Sequence, residues 1–426
     1  MVTVSLVRDS ANNQAARPGK EGSVNVVRFI KQRIGDDADF FREATVLNDA
    51  STDDHSRLEY LAGLFFSDEE EKRRDLYARL LVSYTMSQHA KSGASAFGDI
   101  LHAVEASKEY DFKGQRLHRF HLVNVYLLGL ALYSALPKLQ ELLHVEIGRK
   151  ERELLSGSSP RNEFAFRWKL AALFHDVGAS LALYGPDDRS ELQRSLTLFQ
   201  MAVGENWRLS DWQNVQIEDI IQLTRQKSIF DVLAGIDRAQ SQLLEQLFDK
   251  LRRDGFKLKR KESEIRFDHG VISAALVLKS LDEMYRHYDN LDGEKKVIHF
   301  LGRRISFRRE FFDSSIATAA HAIALHSIDL YEKDWEGTRV LEELGLHDLK
   351  VYDFEEHPLA ALLKLCDTLQ EWDKPKARGR KKLTKPEAID LRFDGDELQL
   401  IKFPKKRKLQ AQLDRFFRNA EFISLQ

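Results

Sequence analysis

The sequence predicts an all-α protein finished by one small β-hairpin, and three observations predict it. Apolar residues recur at three- and four-residue steps through most of the chain. Histidines and aspartates stand on helices otherwise built of Leu, Ala, Val and Ile, and strict alternation of apolar and polar residues is concentrated in one place, between Ala388 and Phe403. The chain has 426 residues, enough for one large or two modest domains, and its 43% hydrophobic content is ample for a core.

The segment from Ser10 to about Gly22 is polar and punctuated by Gly and Pro, which predicts a flexible tail over residues 1–22. From 23 to 115 the spacing predicts a helical N-terminal region: Phe29-Ile30, Ile34, Phe40-Phe41, Leu58, Tyr60-Leu61, Leu64-Phe65, Tyr77 and Leu80-Leu81 keep helical steps. The acids of Asp68-Glu69-Glu70-Glu71 precede the bases of Lys72-Arg73-Arg74, the order that suits a helix start. Next comes Arg116-Leu117-His118-Arg119-Phe120-His121, leading into an apolar run from Leu122 to Leu136 that stops at Pro137. That run is shorter than a bilayer requires and predicts a buried core helix.

Ser159-Pro160 has the pattern of an N-cap followed by the first helical position, and the helix it opens runs to Phe174-His175-Asp176-Val177-Gly178, with Gly178 as a stop. The His-Asp pair thus falls in a last helical turn. Unpaired carbonyls and the dipole favour a cation there. Residues from about 180 to 265 keep helical periodicity and form an insertion, either a cap over the site or extra core and oligomer surface. Three further elements follow: Phe267-Asp268-His269-Gly270; Ala319-Ala320-His321-Ala322-Ile323-Ala324-Leu325-His326; and Pro358 opening a helix through Leu362-Leu363-Lys364-Leu365-Cys366-Asp367-Thr368-Leu369-Gln370 to Trp372. A carboxylate such as Asp367 in so apolar a helix is costly unless a cation or donor meets it. After Trp372, residues 374–426 comprise a basic linker (Lys374, Lys376, Arg378, Arg380, Lys381, Lys382), a hairpin around Asp394-Gly395-Asp396, expected as the only sheet, and a last helix from Lys405 through Phe422.

In this order the elements of residues 116–373 resemble the H…HD…H…H…D series of the HD-domain metal-dependent phosphohydrolases. The resemblance implies an HD-domain helical bundle in which His121, His175, Asp176 and Asp367 hold one divalent metal. His269 and His326 then bring a second, with Asp176 as bridge and His175-Asp176 as the catalytic pair. His121 is preferred to His118 because the family's first histidine is followed four residues later by Val, here Val125, and an apolar run. His118 stands where dNTP-hydrolysing relatives carry Arg, and reads as a substrate contact or a polar helix start. His321 precedes His326 by five residues, about 140° around a helix, so it is left to packing or to supporting the ligands.

With only two carboxylates among six ligands, a pair of divalent ions keeps net positive charge. That suits a phosphate oxygen and activation of a water for hydrolysis of a nucleotide or related phosphoester. Mixed His and carboxylate ligation fits Mn, Fe, Co, Ni or Zn better than Mg. Markers of two subfamilies are missing: Gly178-Ala179 follows the pair where the cyclic-dinucleotide phosphodiesterases soon place a Lys, and Ser180-Leu181-Ala182 stands where alarmone hydrolases have Glu-Asp. A nuclease on single-stranded nucleic acid is the first alternative, motivated by Arg252-Arg253, Lys257-Lys259-Arg260-Lys261, Arg303-Arg304, Arg308-Arg309 and the linker. A non-catalytic nucleotide sensor is the second. The net charge of −2 gives no global pull toward polyanions, so nucleic acid would have to meet such a local patch. Cys366, the single cysteine, excludes an intramolecular disulfide, and residues 1–9 lack the apolar core of a secretory signal. A cytoplasmic protein without a membrane partner, free to form homo-oligomers, is expected.

Overall fold

The computed structural model describes residues 23–45, 53–67, 70–86, 118–151, 159–176, 270, 273–274, 277, 297–300, 303–306, 315, 317–326, 352–370, 372, 388–404 and 406–425. The expected tail, insertion and basic linker lie outside them. In chain order the described elements are β1 (Val24–Asn25), α1 (Val26–Asp36), α2 (Ala38–Thr45), α3 (Asp53–Ser67), α4 (Glu71–Met86), α5 (His118–Ala135), α6 (Pro137–Glu151) and α7 (Pro160–Phe174). They continue with β2 (Val297–Phe300), β3 (Arg303–Ser306), α8 (Ala317–Leu325), β4 (Tyr352–Asp353), α9 (Pro358–Leu369), β5 (Asp390–Asp394), β6 (Glu397–Lys402), α10 (Lys406–Phe416), β7 (Phe417–Arg418) and β8 (Ile423–Leu425). Most described residues are helical, with a small amount of sheet.

Local chemistry accounts for the helix starts. The Ser159 side chain accepts from the Asn162 N–H at 3.2 Å, and Pro160 occupies the first helical position, where its missing N–H costs nothing. Asn25 caps α1 in the same way through Arg28 N–H at 2.9 Å. Pro358 opens α9 without a side-chain cap. Burial selects which helices are central: every residue of α5 from Phe120 to Ser134 is buried, as is every residue of α7 from Glu163 to Phe174. Helices buried on every side must be surrounded by others. Here α5 packs on α7 and α9, α7 packs on α8, and α8 packs on α9, so four short-loop or long-range neighbours close into one cluster. The N-terminal helices α1 and α4 lie on the outside of α5 and share its core. Among the described residues no single helix is long and apolar enough to cross a membrane, and α5 with α6 bends by 101° at their break.

Close approach of α5 to α7 depends on Gly129. A Cβ there would overlap the indole of Trp168, which cannot swing aside cheaply: it is fully buried and its Nε1–H donates to the Tyr126 carbonyl at 2.9 Å. Gly129→Ala improves helix propensity by about 1 kcal/mol, but overpacking costs about 1–3 kcal/mol and should reach the upper end against so constrained a ring. A net loss of about 2 kcal/mol is expected in chemical denaturation. A variant as stable as the parent would show that the ring yields.

The hairpin forms where alternation predicts it, with Gly395 at φ +62° in its two-residue turn and Asp394 paired with Glu397. It is not the only sheet, which corrects the sequence reading. β1 adds antiparallel to β5 and β8 adds parallel to β6, giving a four-stranded sheet in the order β1-β5-β6-β8, while β2-β3 and β4-β7 form two further pairs. The final helix is also shorter than expected. It ends at Phe416, because Phe417 enters β7 beside Tyr352 and Asn419, at φ 55°, turns the chain back toward β8. Phe29 of α1 stacks on Phe393 of β5 at 4.8 Å between ring centres, seating the sheet on the helices.

Candidate metal centre

Each of the four central helices delivers one part of a common site. α5 presents His121 one turn from its start; the chain just beyond α7 carries His175 and Asp176; the residue after α8 is His326; and α9 supplies Asp367 in its last turn. Their side chains converge. His121 Nε2 lies 3.1 Å from His175 Nε2 and 3.2 Å from Asp367 Oδ1. Asp176 divides its two oxygens: Oδ2 is 3.6 Å from His175 Nε2 and 3.7 Å from His121 Nε2, whereas Oδ1 faces His326 Nε2 at 3.3 Å.

The other ring nitrogens explain this orientation. His175 Nδ1 lies 2.9 Å from the Ala172 carbonyl, His326 Nδ1 lies 2.6 Å from the Ile323 carbonyl, and His121 Nδ1 lies 2.5 Å from Gln370 Oε1. A carbonyl oxygen only accepts, so each Nδ1 must carry a proton, and in the neutral form of each ring the lone pair is then left on Nε2. The two free helix ends make this possible, since the carbonyls of the last turns of α7 and α8 lack helical partners. The end of α8 is further fixed by Tyr352, whose hydroxyl donates to Leu325 O at 2.7 Å, and by Lys364, whose ammonium donates to His326 O at 2.7 Å.

Two imidazole nitrogens 3.1 Å apart need a positive centre between them, either a proton shared as a hydrogen bond or a cation. Donors held about 2.0–2.2 Å from one tetrahedral or octahedral cation lie roughly 2.8–3.6 Å from one another, and the observed separations match that spacing closely. His121, His175 and Asp176 therefore suit one divalent ion, with Asp367 beside them. The imidazoles form the floor of the site, 0–6% exposed, and the carboxylates of Asp176 and Asp367, 15% and 22% exposed, form its open side.

Burial pushes His175 down to about 3, helped by His326 and His121 and opposed by Asp176 and Asp367. It is thus held neutral, as a ligand must be. Because the folded value lies below the unfolded one of about 6.5, only the unfolded chain takes up this proton as pH falls between the two. In metal-free protein the contribution is complete above about pH 6.5 and is lost toward pH 3, at up to about 1.4 kcal/mol per pH unit. Denaturation of the parent and of His175→Gln from pH 7 to 4 checks this: the parent should lose stability more steeply, and parallel curves would refute it.

Among the remaining sequence candidates, His118 is the first residue of α5 and its side chain lies outside the described residues, as does His269. His321 is buried with its ring 5.1 Å from that of His357. Cys366 is buried, and burial together with the Asp367 carboxylate pushes its thiol pKa up, so it behaves as a small core residue. Arg303 and Arg304 lie on β3, and the other basic clusters lie outside the described residues. Sequence reasoning assigned no role to Lys364 or Tyr352. A lysine inside the apolar run of α9 was a readable anomaly; Tyr352 carried no signal. No protein-family model, curated protein or solved structure matches the chain.

Proposed function

We propose that the protein is a metal-dependent phosphohydrolase of HD-domain type acting on a nucleotide or related phosphoester. The observation that carries the reading is the common presentation of three imidazoles: each is locked through Nδ1 to a carbonyl-type oxygen, and each turns a bare Nε2 toward Asp176. Packing alone gives no reason for three buried rings to share one protonation pattern around two carboxylates. The four-helix cluster and the order of its ligands support the resemblance read from the sequence.

In this reading His121, His175, Asp176 and Asp367 hold one divalent cation, and His326, facing the second oxygen of Asp176, belongs to another with His269. A bound divalent cation polarises a phosphate oxygen and lowers the pKa of a water, which is the chemistry of phosphoester hydrolysis. The chain's own contribution is threefold. The buried imidazoles exclude water from the floor, Asp176 fixes the spacing of the two halves of the site through its two oxygens, and the exposed edges of Asp176 and Asp367 define the side from which a phosphate enters. Two carboxylates leave a pair of divalent ions with residual positive charge for that phosphate.

A screen of nucleotides, cyclic nucleotides and short oligonucleotides with Mn, Co, Ni, Zn and Mg tests the activity. Absence of hydrolysis from ion-loaded protein across that panel would refute it. Metal analysis tests the pair: two ions per chain are expected in the parent and one in His326→Ala and in His269→Ala. One ion in all three proteins defeats the binuclear arrangement.

A further inference from the structure

α9 grips His121 at both ring nitrogens with residues three positions apart. Asp367 Oδ1 stands 3.2 Å from Nε2, and Gln370 Oε1 stands 2.5 Å from Nδ1. Gln370 ends the helix: its backbone N–H donates to Cys366 O at 2.9 Å, its backbone departs from helical geometry, and its side chain is fully buried. The other end of that amide is pinned as well, because Nε2–H donates to the Trp372 carbonyl. Turning the amide over would set two carbonyl oxygens against each other and two N–H groups toward the imidazole, so the orientation is determined by partners on both sides.

We propose that Gln370 is a positioning residue of the centre: clamped by Trp372, it holds the proton of His121 on Nδ1 and so keeps Nε2 bare and aimed at Asp176 and Asp367. The consequence for metal affinity rests on the metal-centre reading above; the effect on the imidazole does not. His175 and His326 obtain the same orientation from carbonyls of their own helix ends, three residues back. His121 cannot, because three residues back lies His118, the first residue of α5, whose carbonyl points along the helix to the N–H four residues on. A side chain from α9 replaces what the helix end supplies elsewhere. Since that side chain is a neutral amide, all three imidazoles are oriented by uncharged oxygens, which leaves more of the positive charge on a bound cation than a carboxylate partner would.

The test uses full-length protein labelled with 15N-histidine, with the His121 signals identified by their loss in His121→Asn. Gln370→Met removes the acceptor at similar volume. It is expected to abolish the low-field Nδ1–H proton signal of His121 and to weaken zinc binding about 10–100-fold. Gln370→Glu gives up the N–H donated to Trp372 but keeps an acceptor for Nδ1; it should retain the signal and hold zinc affinity within about tenfold of the parent. Persistence of the signal in Gln370→Met overturns the proposal, and so does its loss in both variants, which would mark a general packing role. A parent that binds no zinc, yet loses the signal in Gln370→Met and keeps it in Gln370→Glu, supports the positioning role and overturns the metal reading alone.

Discussion

Under the proposed function, Asp176→Ala is expected to lower phosphoester hydrolysis about a thousandfold or more, some 4 kcal/mol of transition-state stabilisation, while leaving the helical content nearly unchanged. The size of the effect follows from position. Its carboxylate lies within 3.3–3.7 Å of the Nε2 atoms of His121, His175 and His326, so a single truncation removes negative charge from both halves of the centre. The small effect on the fold follows from position too: the residue stands beyond the last turn of α7 and its side chain is polar and partly exposed, so truncation removes no apolar packing from the helix. Metal content should fall below that of the parent in the same preparation. Full turnover with parental metal content would remove Asp176 from the chemistry.

Glu163→Ala is expected to have the opposite profile, a loss of about 3–5 kcal/mol in stability. Glu163 and Arg167 are each 1% exposed on α7, joined at 3.2 Å between Oε1 and Nε, and the Ser315 hydroxyl donates to the same carboxylate oxygen. Truncation takes the carboxylate from a guanidinium that stays buried, and that desolvated charge dominates the cost. Glu163→Gln retains an acceptor for Arg167 and should lose less. Denaturant midpoints order the three proteins; equal stability of parent and Glu163→Ala would mean that Arg167 is satisfied by its other surroundings.

How far the sequence predicted these features depended on the range of the interactions concerned. Ser159-Pro160 and Pro358 announced the starts of α7 and α9 because capping and the proline ring act over one turn. Gly395 announced the hairpin turn for the same reason. The two-residue β1 and three-residue β8 were hidden, since strands so short carry no alternation and their places are set by register with distant segments. Phe417 and Phe422 looked like helix positions by spacing, and partners at Tyr352 and in β6 decided otherwise. In the site, the residue types of the cluster and their order could be read locally. Gln370 could not, because the feature that matters is which way one amide faces in space.

The linkage of β1 to β5 has a temporal meaning. Val24 pairs with Leu391, near opposite ends of a chain of 426 residues, and the site itself spans His121 to Asp367, more than half of that length. At about 5–20 residues per second on a ribosome, roughly 10–50 seconds separate the synthesis of those two residues. Until α9 is made, the residues of α5 and α7 that pack on it have no α9 to cover them, and His121 lacks the amide beside its Nδ1. High contact order of this kind slows folding and lengthens the exposure of unburied surface to aggregation. Assembly of the His-Asp cluster is therefore a late event, and under the proposed function metal uptake would report completion of the chain's tertiary structure.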